Sequence, residues 1–137
     1  MYSMDKKKVN NIIRVPTSLQ DKFFRFWLEF LIPFHRLTSR EMEVAAALLK
    51  ERFELSKSIS DDEILDRVTM GDDSRQKIRK ECNITPAHFQ AILGKLRKAK
   101  IIIDGRINPR FIPKNLNSDD ESFQLLLYFD LNAGSNK

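Results

Sequence analysis

The sequence predicts a mainly α-helical fold with a small antiparallel β element towards its C-terminal end, and three observations carry that expectation. Thr38 with Glu41, and Ser60 with Glu63, have capping-box spacing, in which hydroxyl and carboxylate each satisfy a backbone N–H at a helix start. The run Cys82-Asn83-Ile84-Thr85-Pro86 ends one helix and begins another. There Asn83 tolerates left-handed geometry, Thr85 caps, and Pro86 fills a first-turn position whose N–H would have no partner anyway. Asp104-Gly105, between Ile101–Ile103 and Arg106-Ile107, is the composition of a tight hairpin turn.

Taken in order, residues 1–16 read as a basic arm, with Pro16 disfavouring helix at Val15. Residues 17–131 form one domain and 132–137 a tail, as a chain of 137 residues suits a single core. Thr17 or Ser18 is expected to cap a first helix running to Pro33. Its polar residues Lys22, Arg25 and Glu29 make only a narrow stripe, so its aromatics must be buried on more than one side. Phe23, Phe26, Trp27 and Phe30 are therefore candidates either for the core or for a dimer interface. His35 behind this helix is expected at the surface.

The Thr38 box opens a second helix through Leu55, with Leu37 and Met42 placed as a hydrophobic staple. Ser60 opens a short third helix closed by Gly71. Asp72 or Asp73 is expected to cap a fourth, ending at Asn83, and Thr85 caps the fifth. Ile78 and Cys82 face Ile84, Phe89, Ile92, Leu93 and Leu96 across the turn. After the hairpin and the polar loop Asn115–Ser122, the stretch FQLLLYFDL (123–131) reads as a further strand. Two short helices joined by about three residues make a helix-turn-helix. With a strand and hairpin behind them the order describes a winged helix-turn-helix with extra N-terminal helices. The wing tip falls at the Asp104 turn or in the 115–122 loop.

The segment ITPAHFQAILGKLRKAKIIID resembles the recognition segment of winged helix-turn-helix regulators. Such segments have a Ser/Thr-capped helix with apolar residues at its fifth, ninth and twelfth positions and an AGLI-like exit into a strand. Here those places are Thr85, Phe89, Leu93, Leu96 and Ala99-Lys100-Ile101-Ile102. The resemblance spans about Ser74 to Pro113 and implies double-stranded DNA as the partner.

Charge points the same way. From Ser74 to Lys114 there are 11 basic and two acidic residues, a net +9, while the rest holds 13 basic and 17 acidic, a net −4. Such asymmetry is the footprint of a polyanion-binding surface. At about 100° per residue, the apolar face of the fifth helix leaves Ala87, Ala91 and Gly94 as an outward ridge suited to close approach. By placement His88 and Gln90 are candidates for base edges. Thr85, Lys77, Lys80, Lys95, Arg97, Lys98, Arg106 and Arg110 are candidates for the phosphate backbone.

No phosphate-binding glycine loop, dinucleotide fingerprint or nucleophile elbow occurs among four glycines, so no catalysis and no cofactor is expected. His35, His88 and Cys82 lack metal-ligand spacing. No apolar run approaches the roughly 20 residues of a membrane span, and a single cysteine fits a reducing, cytoplasmic setting. The expected function is a non-catalytic DNA-binding protein, a small transcriptional regulator or genome-associated protein, dimeric through its Phe/Trp-rich first helix. One alternative is an assembly protein, such as a phage virion component, that uses the same fold for protein contacts. Another is a replication-initiation accessory.

Overall fold

A computed structural model of the chain describes residues 9–132. Its elements are α1 (Phe23–Phe30), α2 (Ile32–His35), α3 (Ser39–Ser56), α4 (Asp62–Thr69), α5 (Asp72–Cys82), α6 (Pro86–Lys98), β1 (Ile102–Ile103) and β2 (Arg106–Ile107), followed by a 3-10 turn at Pro109–Phe111. The structure is thus mainly helical with a two-stranded antiparallel sheet, paired Ile102 with Ile107 and Ile103 with Arg106.

α3 occupies the centre. Its start is the expected capping box: Thr38 Oγ1 accepts from Glu41 N–H, and Glu41 Oε1 accepts from Thr38 N–H at 3.0 Å. Leu37 and Met42 are both buried beside it. Val44, Ala45, Leu48 and Leu49 are buried along α3, giving it two buried flanks that α1, α4, α5 and α6 cover. A contiguous core runs from Phe24 and Leu28 through these residues to Ile78, Phe89, Leu93, Leu96, Ile107 and Phe111. Each such fully buried large side chain contributes about 1.5–3 kcal/mol of transfer free energy.

The first helix departs from expectation. It begins at Phe23, not at Thr17 or Ser18, after a turn in which the Ser18 carbonyl accepts from Asp21 and Phe23 N–H. Lys50 Nζ on α3 takes the Gln20 carbonyl at 2.8 Å and so fixes that turn. The helix stops at Phe30 because Pro33 has no N–H for the Glu29 carbonyl and its ring would crowd it; Pro33 instead sits in the first turn of α2. Two further caps also move. Asp61, not Ser60, caps α4 by accepting from Ile64 N–H at 3.0 Å. Gly71 precedes α5 with no side-chain cap, leaving Asp72 and Asp73 in the first turn, where they complement the helix dipole.

His35 is buried, contrary to the expectation of a surface residue. Its Nε2 donates to the Leu28 carbonyl at 2.7 Å and its Nδ1 accepts from Leu37 N–H at 2.9 Å. The ring therefore bridges the end of α1 to the entry of α3, past Arg36 at φ +54°. Trp27 Nε1 donates to the Phe111 carbonyl at 2.7 Å, which ties the 3-10 turn to α1.

The expected strand at 123–131 does not form. Phe123 packs edge-on against Phe23 and Trp27, at 5.3 and 5.8 Å between centroids. The following apolar residues are exposed, and no ladder reaches them among the described residues. Among the described residues the sheet is two residues per strand and joins β1 to β2, so it offers this run no ladder. Residues 9–18 have no regular structure and are exposed; positions 1–8 of the expected arm and 133–137 of the tail lie outside the described residues. Among the described residues no helix is long and apolar enough to cross a membrane.

Two outcomes test this core. Substituting His35→Leu strands a buried carbonyl and a buried N–H, and the expected loss in urea unfolding is about 2–4 kcal/mol. Burial pushes the Cys82 thiol up from 9.0 to about 11, with Glu43 adding to the shift and Arg40 opposing it. A raised value means the folded state holds the proton more tightly. That contribution is therefore whole below the ordinary thiol range and lost as pH rises towards about 11. Cys82 is expected to resist thiol reagents in the native protein near neutral pH and to react fully in urea; rapid native labelling would contradict its burial.

Candidate nucleic-acid interface

α5 and α6 are joined by the turn Asn83-Ile84-Thr85, and the two ends of that junction are independently fixed. At the close of α5, Asn83 takes φ +54°, and Ile84 N–H donates to the Arg79 carbonyl while Asn83 N–H donates to that of Lys80. This pair of bonds is a Schellman closure, and Asn is the residue after Gly that adopts its left-handed position most easily. From α3, Arg40 Nη2 donates to the Cys82 carbonyl at 2.8 Å and lies 3.4 Å from that of Asn83. A cation thus sits at the negative end of the α5 dipole. Thr85 Oγ1 then accepts from His88 N–H at 3.2 Å, with Pro86 in the first turn.

α6 closes the same way. Lys100 stands at φ +65°, Ile101 N–H donates to the Leu96 carbonyl, and Lys100 N–H donates to that of Arg97. Lys100 is the position matched to the glycine of the AGLI-like exit, and the backbone adopts the conformation a glycine there would favour. Asn108 completes the junction by donating from Nδ2 to the Lys100 carbonyl at 2.9 Å, which fixes where the hairpin leaves α6. Asp104 and Gly105 both have positive φ, +55° and +76°, as a two-residue hairpin turn with matching twist requires. The hairpin tip is therefore the Asp104 turn; the 115–122 loop joins no strands.

The expected face division of α6 is realised. Phe89, Ile92, Leu93 and Leu96 are buried, whereas Ala87, His88, Gln90, Ala91, Lys95, Arg97 and Lys98 are exposed. α6 itself carries no acidic residue. A Cβ added at Gly94 meets nothing within 4 Å, so nothing inside the fold requires a glycine there. The ridge Ala87, Ala91, Gly94 is smooth without being packed against any other part of the described chain.

The remaining candidates separate into free and engaged groups. Lys77 Nζ donates to Glu51 Oε1 at 3.0 Å, and Ser74 Oγ donates to the other oxygen of that nearly buried carboxylate at 2.7 Å. The hydrogen bond to Glu51 raises the Lys77 pKa. Lys77 is thereby held towards α3 while still exposed, and Lys80 on the same helix face is exposed too. Arg79 stacks over the Phe89 ring at 5.8 Å and Arg75 is half-buried. Arg106 Nη1 lies 4.0 Å from Asp66, itself bound by Arg52 at 2.9 Å, so the sole charged residue of β2 leans onto α4. Arg110 lies past the hairpin, over the Phe34 ring at 5.3 Å. Sequence reasoning missed these partners because each lies on another element, too far along the chain for local patterning to pair them. The hairpin's tip residue is an acid, whereas Lys95, Arg97 and Lys98 of α6 and the adjoining Lys80 and Lys100 are exposed basic residues.

Of the first-helix aromatics, Phe23 and Trp27 pack against Phe123, Phe26 is half-buried and Phe30 is exposed. Among the described residues no group of His, Cys, Asp and Glu is placed to hold a metal ion.

Because the Gly94 site is open, Gly94→Ala is expected to stabilise the fold by about 0.5–1 kcal/mol through helix propensity alone. A drop in melting temperature would show that the ridge is packed in the free protein. No protein-family model, curated protein or solved structure shows a significant match to this chain.

Proposed function

We propose that the chain binds double-stranded DNA without catalysis, laying the outward face of α6 against the duplex, and serves as a small transcriptional regulator or genome-associated protein. The observation that supports this best is the acid-free face of α6: a smooth Ala87, Ala91, Gly94 ridge flanked by His88 and Lys95 on one side and Gln90 and Arg97 on the other. Small residues let the helix axis approach a phosphate backbone closely, and Lys95, Arg97, Lys98, Lys80 and Lys100 lie within the same basic region to neutralise it. His88 and Gln90, near the N-terminal end of α6, are the side chains offered to base edges, Gln being suited to adenine. Thr85 is committed as an acceptor to its cap, so its hydroxyl proton is what it offers a phosphate oxygen. Lys77 and Arg106 contribute less, since each faces a carboxylate.

One observation favours a second reading. A ridge of Ala and Gly also suits close packing against another protein's helix, which would make the chain an assembly component. Gel-shift titration of duplex DNA across salt separates the two. DNA binding requires log affinity to fall linearly with log salt, each neutralised phosphate contributing about 0.9 to the slope. Changing Lys95, Arg97 and Lys98 together to Gln is expected to flatten that slope by about 2–3. An unchanged slope would remove α6 from the interface, and no binding at low salt would leave the protein-docking reading.

A further inference from the structure

α5 carries its basic residues on two faces, with lysines on one and arginines on the other. Lys77 and Lys80 share the first face, where Lys77 meets Glu51. Arg75 and Arg79 stand one turn apart on the opposite face, both half-buried. Asp72 is the acid of α5 nearest to that face, yet no ion pair joins either arginine to it or to any other acid among the described residues. Two like charges at i and i+4 repel each other.

Arg75 bears a second burden. Its Nε is buried and meets no acceptor, and no other buried side-chain nitrogen or oxygen among the described residues is left in that condition. A charged donor withdrawn from water with nothing to accept its proton is destabilising. Arg79 lies over the Phe89 ring at 5.8 Å, a contact with the ring face that leaves its N–H donors uncommitted. Phe89 stands between His88 and Gln90 in the N-terminal half of α6. That half has no lysine or arginine, since Lys95, Arg97 and Lys98 all belong to the other. Arg79 therefore brings a cation to the end of α6 that has none of its own.

We propose that Arg75 and Arg79 clasp one backbone phosphate of the duplex beside the N-terminal half of α6. The proposal rests on the reading of α6 as the DNA-facing helix. Arg75 turns outward to reach the anion, which supplies the acceptor that its Nε lacks and separates the two like charges. One ligand thus relieves both unfavourable features of the free protein. Guanidinium forks pair bidentately with phosphate oxygens, a geometry that an ammonium cannot offer, and arginine stands at both positions.

Gel-shift titration and thermal melting of Arg75→Met test the clasp together. The apolar side chain removes the stranded donor, so melting temperature is expected to stay level or rise, while affinity for duplex DNA at low salt falls about tenfold or more. A lower melting temperature with unchanged affinity would make Arg75 a packing residue and overturn the proposal. Changing Arg75 and Arg79 together to Gln is expected to reduce the salt slope by about 0.9, the contribution of one phosphate. If duplex binding persists with an unchanged slope, the clasp is overturned and the α6 contact stands. If the full chain binds no duplex at low salt, the DNA reading itself fails. Inorganic phosphate titrated into the unmodified protein then decides the clasp through the Arg75 Nε–H resonance in NMR. Movement of that resonance keeps the clasp as a site for free phosphate; a stationary one overturns it.

Discussion

The fold depends on the long central helix α3, and above all on the polar residues that line its exposed edges. Its apolar flanks pack against four helices, and its charged side chains then fix α4, α5 and the entry to α1. Arg40 holds the end of α5, Lys50 the turn before α1, Glu51 the first turn of α5 through Ser74 and Lys77, and Arg52 the acidic helix α4 through Asp66. Apolar packing is tolerant of small rotations, whereas a charge-assisted hydrogen bond at 2.7–3.0 Å is not. The two together set where α5 lies, and through the three-residue turn where α6 must point.

That arrangement has an electrostatic consequence. Several basic residues of the segment that looks so cationic in sequence have partners within the molecule: Lys77 on Glu51, Arg106 near Asp66, Arg79 over Phe89 and Arg110 over Phe34. The acidic body and the basic segment are partly neutralised against each other. The basic residues of α6, Lys95, Arg97 and Lys98, are all exposed on a helix without a carboxylate. A basic stripe on a rigidly held helix is a more selective feature than a net charge of +5.

The hairpin is correspondingly modest. Two residues per strand and an acid at its tip make it a strut that fixes the exit of α6, through Asn108 and the left-handed Lys100. The proposed DNA contact accordingly rests on the helix more than on the wing.

Local chemistry was legible from the residues themselves. The Thr38 box, the Asn83 closure, the Thr85-Pro86 start, the Asp104-Gly105 turn and the division of α6 into buried and exposed faces all follow from bonds or rotations spanning a few residues. Where several hydroxyls or carboxylates competed for one helix start, neighbours of similar capping strength could not be ranked, and Asp61 rather than Ser60 took α4. The burial of His35 and the capture of Lys77 and Arg106 were not legible, because their partners lie on other elements. Nor was the fate of FQLLLYFDL, whose composition favours a strand but which joins no ladder among the described residues. The sequence by itself determined which segments become helices and which face of α6 is buried, since capping and periodicity are short-range. Only the tertiary structure decided which charges and aromatics stay available to a partner, since that depends on what distant segments bring within a few ångströms.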